Sequence, residues 1–310
     1  MFKERGVFVK IVKNDWTNPF FNLALEEYLL KQSTVEEDFF LFYRNSPSII
    51  IGRNQNPFEE INFSPAKENA IPIIRRISGG GAVFHDFGNL NFSFITSTFE
   101  RSLANYRKFT SPIIEALNKL GVLAEFSGKS DIVVNGRKIS GNAQAYHGKK
   151  MIHHGTLLFD CDLRFIDLFL HKDLTKAVSR SIKSNRANVT NISDFLDPGF
   201  TIEDLRNYLC NELLKRDDFT KEEHRLSEMD IRKISQLAID KYASWEWNFG
   251  ETPEFVVERI LIVRNKPIKC SLVVRKGIIV HILPMPPYES MRKSTQKKYL
   301  NRPYDQTYPI

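Results

Sequence analysis

The chain has 310 residues, 42% of them apolar and 26% charged, and a formal net charge of +7. These values are ordinary for a globular protein. No apolar run approaches the roughly 18 residues of a membrane-spanning helix, and three cysteines without CxxC spacing exclude a disulfide framework and a structural zinc site.

In chain order, residues 7–12 alternate as a strand. "NPFFNLALEEYLLKQ" has helical spacing, with Asn18 as cap, Pro19 in the first turn, and Phe20, Leu23, Ala24 and Tyr28 on one face. Two strands, "DFFLFY" and "SIIIG", flank the turn "RNSP". "SPAKENA" reads as a short helix, and "IPIIRR" as a strand entering three glycines. Beyond them "AVFHD" and "NLNFSFIT" read as strands joined by a turn at Gly88-Asn89. A helix is expected from Tyr106 to Leu120, stopping at Gly121. A cluster of strands follows, with Asn135-Gly136 between two apolar runs as a hairpin signal. The pattern is mostly helical from about Phe165 to Tyr242, and strands return from about Trp245. Hairpin-linked strands with helices in blocks predict an α+β protein of mixed, largely antiparallel sheets with packed helices. A main domain over residues 1–248 and a small one over 249–310 are expected.

The positive charge calls for an anionic partner. No dense basic stripe precedes "MRKSTQKK", so nucleic acid is not expected, nor is a membrane. The N-terminus lacks the pattern of a signal or transit peptide. A cytoplasmic protein is expected, with the mitochondrial matrix as the alternative for a processed chain.

"RRISGGGAVFHD" admits a bland reading as a turn or bulge. It is no P-loop, because no Gly-Lys-Ser/Thr closes it, and no GxGxxG, because Phe84 occupies the last glycine's place. Yet Gly79, Gly80 and Gly81 let backbone N–H groups approach a phosphate or an adenine edge. Arg76 can clamp a phosphate with two parallel donors, and the context favours a nucleotide loop. Lys138 lies beside the hairpin turn and shares an alternation face with Ser140, opposite Ile139. An inward lysine needs an anionic partner, which a carboxylate or phosphate ligand would supply. His153 and His154 are neighbours on a strand, so they face opposite ways and do not chelate one metal. Gly155 permits close backbone approach, and Thr156 adds a hydroxyl. Cys161 has no glycine elbow or obvious base attached.

The segments "NPFFNLALEEYLL", "PSIIIGRNQNPFEEIN", "RRISGGGAVFHDFGNLNFSF", "SGKSDIVVNGRKISGNAQ", "HHGTLLFD" and "SNRANVTNI" together resemble the lipoate-protein ligase family, related in fold to biotin-protein ligases. The similarity runs from about Asn18 to Gly250 and is closest to the Gram-positive bacterial type. It implies two steps: lipoate attacks the α-phosphate of ATP to give lipoyl-AMP, and a lysine of an apo lipoyl domain then takes the lipoyl group. It implies ATP and Mg2+, and as acceptors the acyltransferase subunits of 2-oxoacid dehydrogenases and the H protein of glycine cleavage. By this resemblance Lys138 is an electrostatic stabiliser that contacts both the lipoyl carbonyl and the phosphate. Arg76 is the ATP-binding arginine, and Gly79, Gly80, Gly81, Ala82, Val83 and Phe84 wrap the nucleotide. Asn89 and Asp131 are further nucleotide contacts, Asp131 also as a magnesium ligand or an amine-orienting carboxylate. Ser78, His154, Gly155 and Thr156 line the lipoyl tunnel with Lys138, and Arg186 belongs to an adenylate-binding loop over Ser181–Ile192.

Two departures stand out. Asn188 replaces an expected second arginine, and the chain ends at "NRPYDQTYPI" where a further helix is expected, as if the accessory domain were truncated. Both fall on parts associated with making the adenylate. A lipoyltransferase using preformed lipoyl-AMP is therefore the first alternative, and a cysteine-dependent octanoyl- or lipoyl-amidotransferase the second.

Overall fold

The computed structural model describes residues 9–32, 34, 37–97, 105–170, 177–179, 184, 188–217, 219–263, 266–286 and 297–304. Strand β1 (Val9–Val12) leads into helix α1 (Pro19–Gln32). Asn18 caps it as expected: its Oδ1 accepts the N–H of Phe20 at 2.9 Å and of Phe21 at 3.2 Å. The expected apolar face is too narrow, however. Phe20 and Tyr28 are half-buried, while Asn22, Glu26 and Glu27 are buried along with the leucines. Burial of these polar groups is tolerated because each has partners. Glu27, for example, accepts from Lys241 Nζ at 2.7 Å and Tyr242 Oη at 2.6 Å.

Strands β2 (Asp38–Tyr43) and β3 (Ser48–Ile51) follow, then the short helices α2 (Pro57–Glu60) and α3 (Phe63–Glu68) and strand β4 (Ile73–Arg75). After the glycines come β5 (Val83–His85) and β6 (Asn89–Ser97). Helix α4 (Tyr106–Lys119) precedes β7 (Ala124–Ser127), β8 (Asp131–Val134), β9 (Arg137–His147) and β10 (Lys150–Leu158). The β8–β9 turn has Asn135 at φ 49° and Gly136 at φ 72°, the primed-turn geometry that the Asn-Gly pair called for. The remaining elements are α5 (Arg164–Leu170), β11 (Ala177–Ser179), α6 (Ile202–Leu214), β12 (Phe219–His224), α7 (Glu228–Leu237), β13 (Phe255–Val263), β14 (Lys266–Arg275) and β15 (Ile278–Pro284).

Three sheets result, with strand orders β12-β1-β2-β6-β10-β9-β8-β7, β4-β3-β5 and β11-β13-β14-β15. Pairing is mostly antiparallel, with β1 parallel to both β2 and β12 and β3 parallel to β4. The α+β architecture is the expected one. The turns "RNSP" and Gly88-Asn89 nevertheless part their strands into different sheets: β2 and β6 pair in the large one, β3 and β5 in the small one. Strands β11 and β12 fall in the region read as helical. β12, "FTKEEH", carries little apolar alternation and is placed by its pairing with β1.

One face of the large sheet packs Phe92, Phe94 and Leu157 against α4 and α6. The other packs Leu41, Ile95 and Ile152 against α1 and α7, and meets the small sheet through Ile50 and Ile74. The C-terminal sheet has its own core, including Leu272 and Val274, into which α2 inserts Phe58. Arg75 ties that end of the chain to the small sheet. Its guanidinium donates to the carbonyls of Gly52, Gln55, Trp247 and Asn248. Its own carbonyl accepts Trp247 Nε1 at 2.6 Å.

Candidate functional site

Between the α1-side face of the large sheet and the small sheet lies a cavity of about 630 Å³. Small-molecule sites typically measure roughly 300–1,000 Å³. Tyr43, Asn91, His154 and Thr156 rise from the large sheet, Ile50 and His85 face them from the small one, and Arg76 and Gly80–Val83 form the loop wall.

Lys138 enters from β9. A register shift opposite Ile132–Val133 pairs Lys138 with Val133 and Ser140 with Ile132. The expected Lys138–Ser140 face is therefore broken: Ser140 is buried, while Lys138 lines the cavity with Gly141 and Asp131. Lys138 Nζ sits 2.9 Å from Asp131 Oδ1. Its backbone is held on both sides, N–H donating to the Asn188 carbonyl at 2.7 Å and C=O accepting Thr190 N–H at 3.0 Å. The position of the missing second arginine thus serves Lys138 through its main chain. An ammonium keeps two further donors once Asp131 has taken one.

Arg76 is buried and does not reach outward as a free clamp. Its guanidinium donates to Gly79 O at 2.6 Å, Gly81 O at 2.8 Å, Ile50 O at 3.2 Å and Ser78 Oγ at 3.0 Å. Burial lowers its pKa to about 10, with Glu26 acting in the opposite sense, so it stays charged at neutral pH. It folds the glycine loop around itself. Gly80, at φ +92°, is in the left-handed region, and a Cβ there would lie 2.8 Å from the Arg76 guanidinium.

From Arg76 a chain of hydrogen bonds crosses the cavity floor. Ser78 Oγ lies 2.6 Å from His154 Nε2, and His154 Nδ1 lies 2.9 Å from Glu26 Oε2. Ser78 Oγ, which accepts from Arg76, thus links the guanidinium to His154, whose Nδ1 faces the Glu26 carboxylate. Tyr43 and Ser93 hydroxyls also donate to Glu26. The Ser–His–Glu order looks like a hydrolytic triad, but Ser78 is buried off the cavity wall and its oxygen is already engaged by Arg76. This chain positions groups and supplies no nucleophile.

Two further histidines are buried. Burial, then Arg76, then His154 lower His85 from 6.5 to about 3. Burial, then His154, keep His153 well below 6.5. Below pH 6.5 the unfolded chain takes up these protons and the folded chain does not, so stability present above pH 6.5 is lost as pH falls toward 3. For His85 the loss is about 1.4 kcal/mol per pH unit within that window, and His153 acts in the same direction. Urea unfolding between pH 6.5 and 4 should show this slope, and His85→Asn should reduce it; an equal slope in the variant would refute the assignment.

Not every expected residue reaches the cavity. Asn89 is buried instead, with Nδ2 donating to Asn91 Oδ1 at 2.9 Å, and Asn91 takes the wall. Phe84 packs its ring on Phe165 and Phe169 of α5. Gly79 stands behind the wall as an acceptor for Arg76, and Arg186 lies outside the described residues. Conversely, Tyr43, His85 and Asn142 line the cavity and Glu26 holds His154, yet none of the four was singled out from the sequence.

Cys161 is buried away from the cavity, and burial, then Asp86, raise its thiol far above the ordinary range. It cannot supply a thiolate at neutral pH. Cys161→Ser is expected to keep acyl-transfer activity within about twofold, as for an inert buried thiol; loss of activity with folding intact would reinstate a cysteine nucleophile. Among the described residues no group of three or more His, Cys, Asp or Glu could hold a metal ion by itself, and no helix is long and apolar enough to cross a membrane.

Comparison with known proteins gives the family. The lipoyl protein ligase A/B catalytic domain matches residues 18–214. The chain is 46% identical over 263 residues to the Bacillus subtilis lipoate-protein ligase LplJ, covering 84% of this chain and 80% of that protein. It is 43% identical over 271 residues to lipoate-protein ligase 1 of Staphylococcus aureus, covering 87% and 82%. Among solved structures, it is similar to a lipoate-protein ligase A bound with ATP, at TM-score 0.68 and 27% identity over 78% of this chain and 98% of that one. A bipartite lipoate-protein ligase from Thermoplasma acidophilum, studied with its E2 lipoyl domain, matches at TM-score 0.68 and 26% identity, covering 78% and 96%.

Proposed function

The chain belongs to the lipoate-protein ligase family, in its Gram-positive form, and we propose that the cavity between its two sheets carries both halves of the ligase reaction. In the first, a lipoate carboxylate oxygen attacks the α-phosphorus of ATP and pyrophosphate leaves. In the second, the ε-amine of a lipoyl-domain lysine attacks the acyl carbon, AMP leaves, and the amine gives up a proton. The observation that carries this reading is that Lys138 and the Arg76-held glycine loop line one cavity.

Both steps build negative charge on oxygens, first around the α-phosphorus and then at the acyl carbonyl. An ammonium fixed by Asp131 and by two backbone hydrogen bonds is preorganised to meet that charge. The glycine loop offers backbone to the nucleotide, and Arg76 keeps its carbonyls turned inward, away from phosphate. Thr156 and His154 face the acyl group.

Magnesium would add charge neutralisation at the phosphates. Asp131 is the one carboxylate among the described cavity-lining residues, and magnesium is commonly held by one or two carboxylates together with substrate phosphates. Asp131 therefore fits as its protein ligand. Acceptors are apo lipoyl domains of 2-oxoacid dehydrogenase acyltransferase subunits and the glycine cleavage H protein. A basic chain would speed encounter with acidic domains. Residues 1–248 form the catalytic unit and 249–310 an accessory one, in the cytoplasm.

Lipoate-dependent ATP–pyrophosphate exchange tests the proposal. Exchange is expected. Its absence, together with transfer from synthetic lipoyl-AMP, would reduce the protein to a lipoyltransferase.

A further inference from the structure

Asn142 stands on β9 opposite Gly155 of β10 and lines the cavity. Its polar atoms are all committed. Backbone N–H and Nδ2 both donate to the Ser130 carbonyl, at 3.1 and 2.8 Å, and Nδ2 also approaches Ser140 Oγ at 3.2 Å. Oδ1 lies 3.2 Å from His153 Nε2.

The direction of these bonds is determined. Tyr146 Oη donates to Gln144 Oε1 at 2.9 Å, which turns Gln144 Nε2 toward His153 Nδ1 at 3.1 Å. The Ser130 carbonyl can only accept, so Asn142 Nδ2 faces it and Oδ1 faces His153; Nε2 therefore carries the proton that Oδ1 receives, and Nδ1 accepts from Gln144. His153 is itself fixed, fully buried and stacked on Phe109 at 4.9 Å. Glycine at 155 leaves room for this arrangement, since a Cβ there would stand 2.1 Å from Asn142 Oδ1.

The carbonyl that Asn142 grips belongs to the peptide between Ser130 and Asp131. Holding it on two donors sets the plane of that peptide and with it the backbone from which Asp131 projects; Ser130 Oγ donates to Asp131 Oδ1 at 3.3 Å, and that oxygen is 2.9 Å from Lys138 Nζ. Because the Lys138 backbone is already pinned by residues 188 and 190, the remaining freedom of its ammonium is governed by Asp131. We propose that Asn142 is a positioning residue for Lys138: acting through the Ser130–Asp131 peptide, it aims the ammonium at the reacting oxygens. The inference rests on Lys138 being the charge-stabilising group.

Asn142→Ala and Asn142→Asp test it, each alone and combined with Asp131→Asn, in exchange and in transfer from synthetic lipoyl-AMP. Asn142→Asp keeps the volume and the acceptor for His153 and loses only the side-chain donor to Ser130, so it serves if the alanine variant does not fold. Both are expected to lower kcat roughly 10- to 100-fold with KM for lipoate changed less than about threefold, as for a misaimed catalytic group. The double variants should lose less than the product of the single effects, because both residues act through one ammonium. Wild-type kcat in both Asn142 variants, a loss confined to KM or melting temperature, or multiplicative effects with Asp131→Asn would overturn the inference. Lys138→Ala is run alongside. If it remains active, the assignment of Lys138 fails; if it is inactive while the Asn142 variants turn over normally, this inference alone fails.

Discussion

Replacing Lys138 with alanine is expected to abolish measurable lipoyl transfer. Losing one preorganised donor to developing charge costs about 2.7–4 kcal/mol, or roughly 10²–10³-fold in kcat. Both exchange and transfer from synthetic lipoyl-AMP should fall, because the ammonium lines the cavity proposed to carry both steps. Folding should be little affected. Lys138 is partly exposed, its hydrogen bonds to Asn188 and Thr190 run through the main chain, and its ion pair with Asp131 borders the cavity. Retained transfer in a folded Lys138→Ala protein would sink the assignment. The same geometry predicts no covalent lysine intermediate, so intact mass after incubation with lipoate and ATP should show no adduct at Lys138.

Arg76→Ala should damage stability and activity together. The guanidinium is the common donor for the carbonyls of Gly79, Gly81 and Ile50 and for Ser78 Oγ. Its removal also deprives buried Glu26 of a cation that it feels through the protein. Leaving these buried acceptors without a donor costs about 1–3 kcal/mol each, readable as a lower urea midpoint. Activity should fall because the glycine carbonyls are freed to swing toward the phosphates. Arg76→Lys should restore little, since a single ammonium cannot span Gly79, Gly81 and Ser78 at once. Full activity in Arg76→Lys would show that charge alone matters there, and would remove the loop-folding role.

Much of the architecture was legible locally. Asn18 caps α1, Asn135-Gly136 makes the β8–β9 turn, and the strand runs of the C-terminal sheet lie where alternation put them. Failures came where a segment's environment is supplied by distant chain. β12 has no alternation to read, because its partner β1 is about 200 residues away in sequence. The face expected for α1 packs into the core but was too narrow, because the helix is enclosed, and enclosure depends on what packs around it. Asn89 and Asn91 carry the same side chain two residues apart, and pattern alone offered no reason to prefer Asn91 for the cavity wall.

By itself, then, the sequence determined the chemical vocabulary of the site: the glycine run with Arg76, the lysine by its hairpin, and the His-His-Gly-Thr strand. These are contiguous motifs, in which composition and spacing over a few residues already restrict what the backbone can do. Tertiary structure alone decided how the words are used. It turned Arg76 inward onto the glycine loop, joined Glu26 to His154 across 128 residues, and put Asn142 between His153 and the turn that carries Asp131. The reason is physical. Local periodicity reports which face of an element is apolar, whereas the partner of a buried polar group is set by which elements pack together, and that information is non-local.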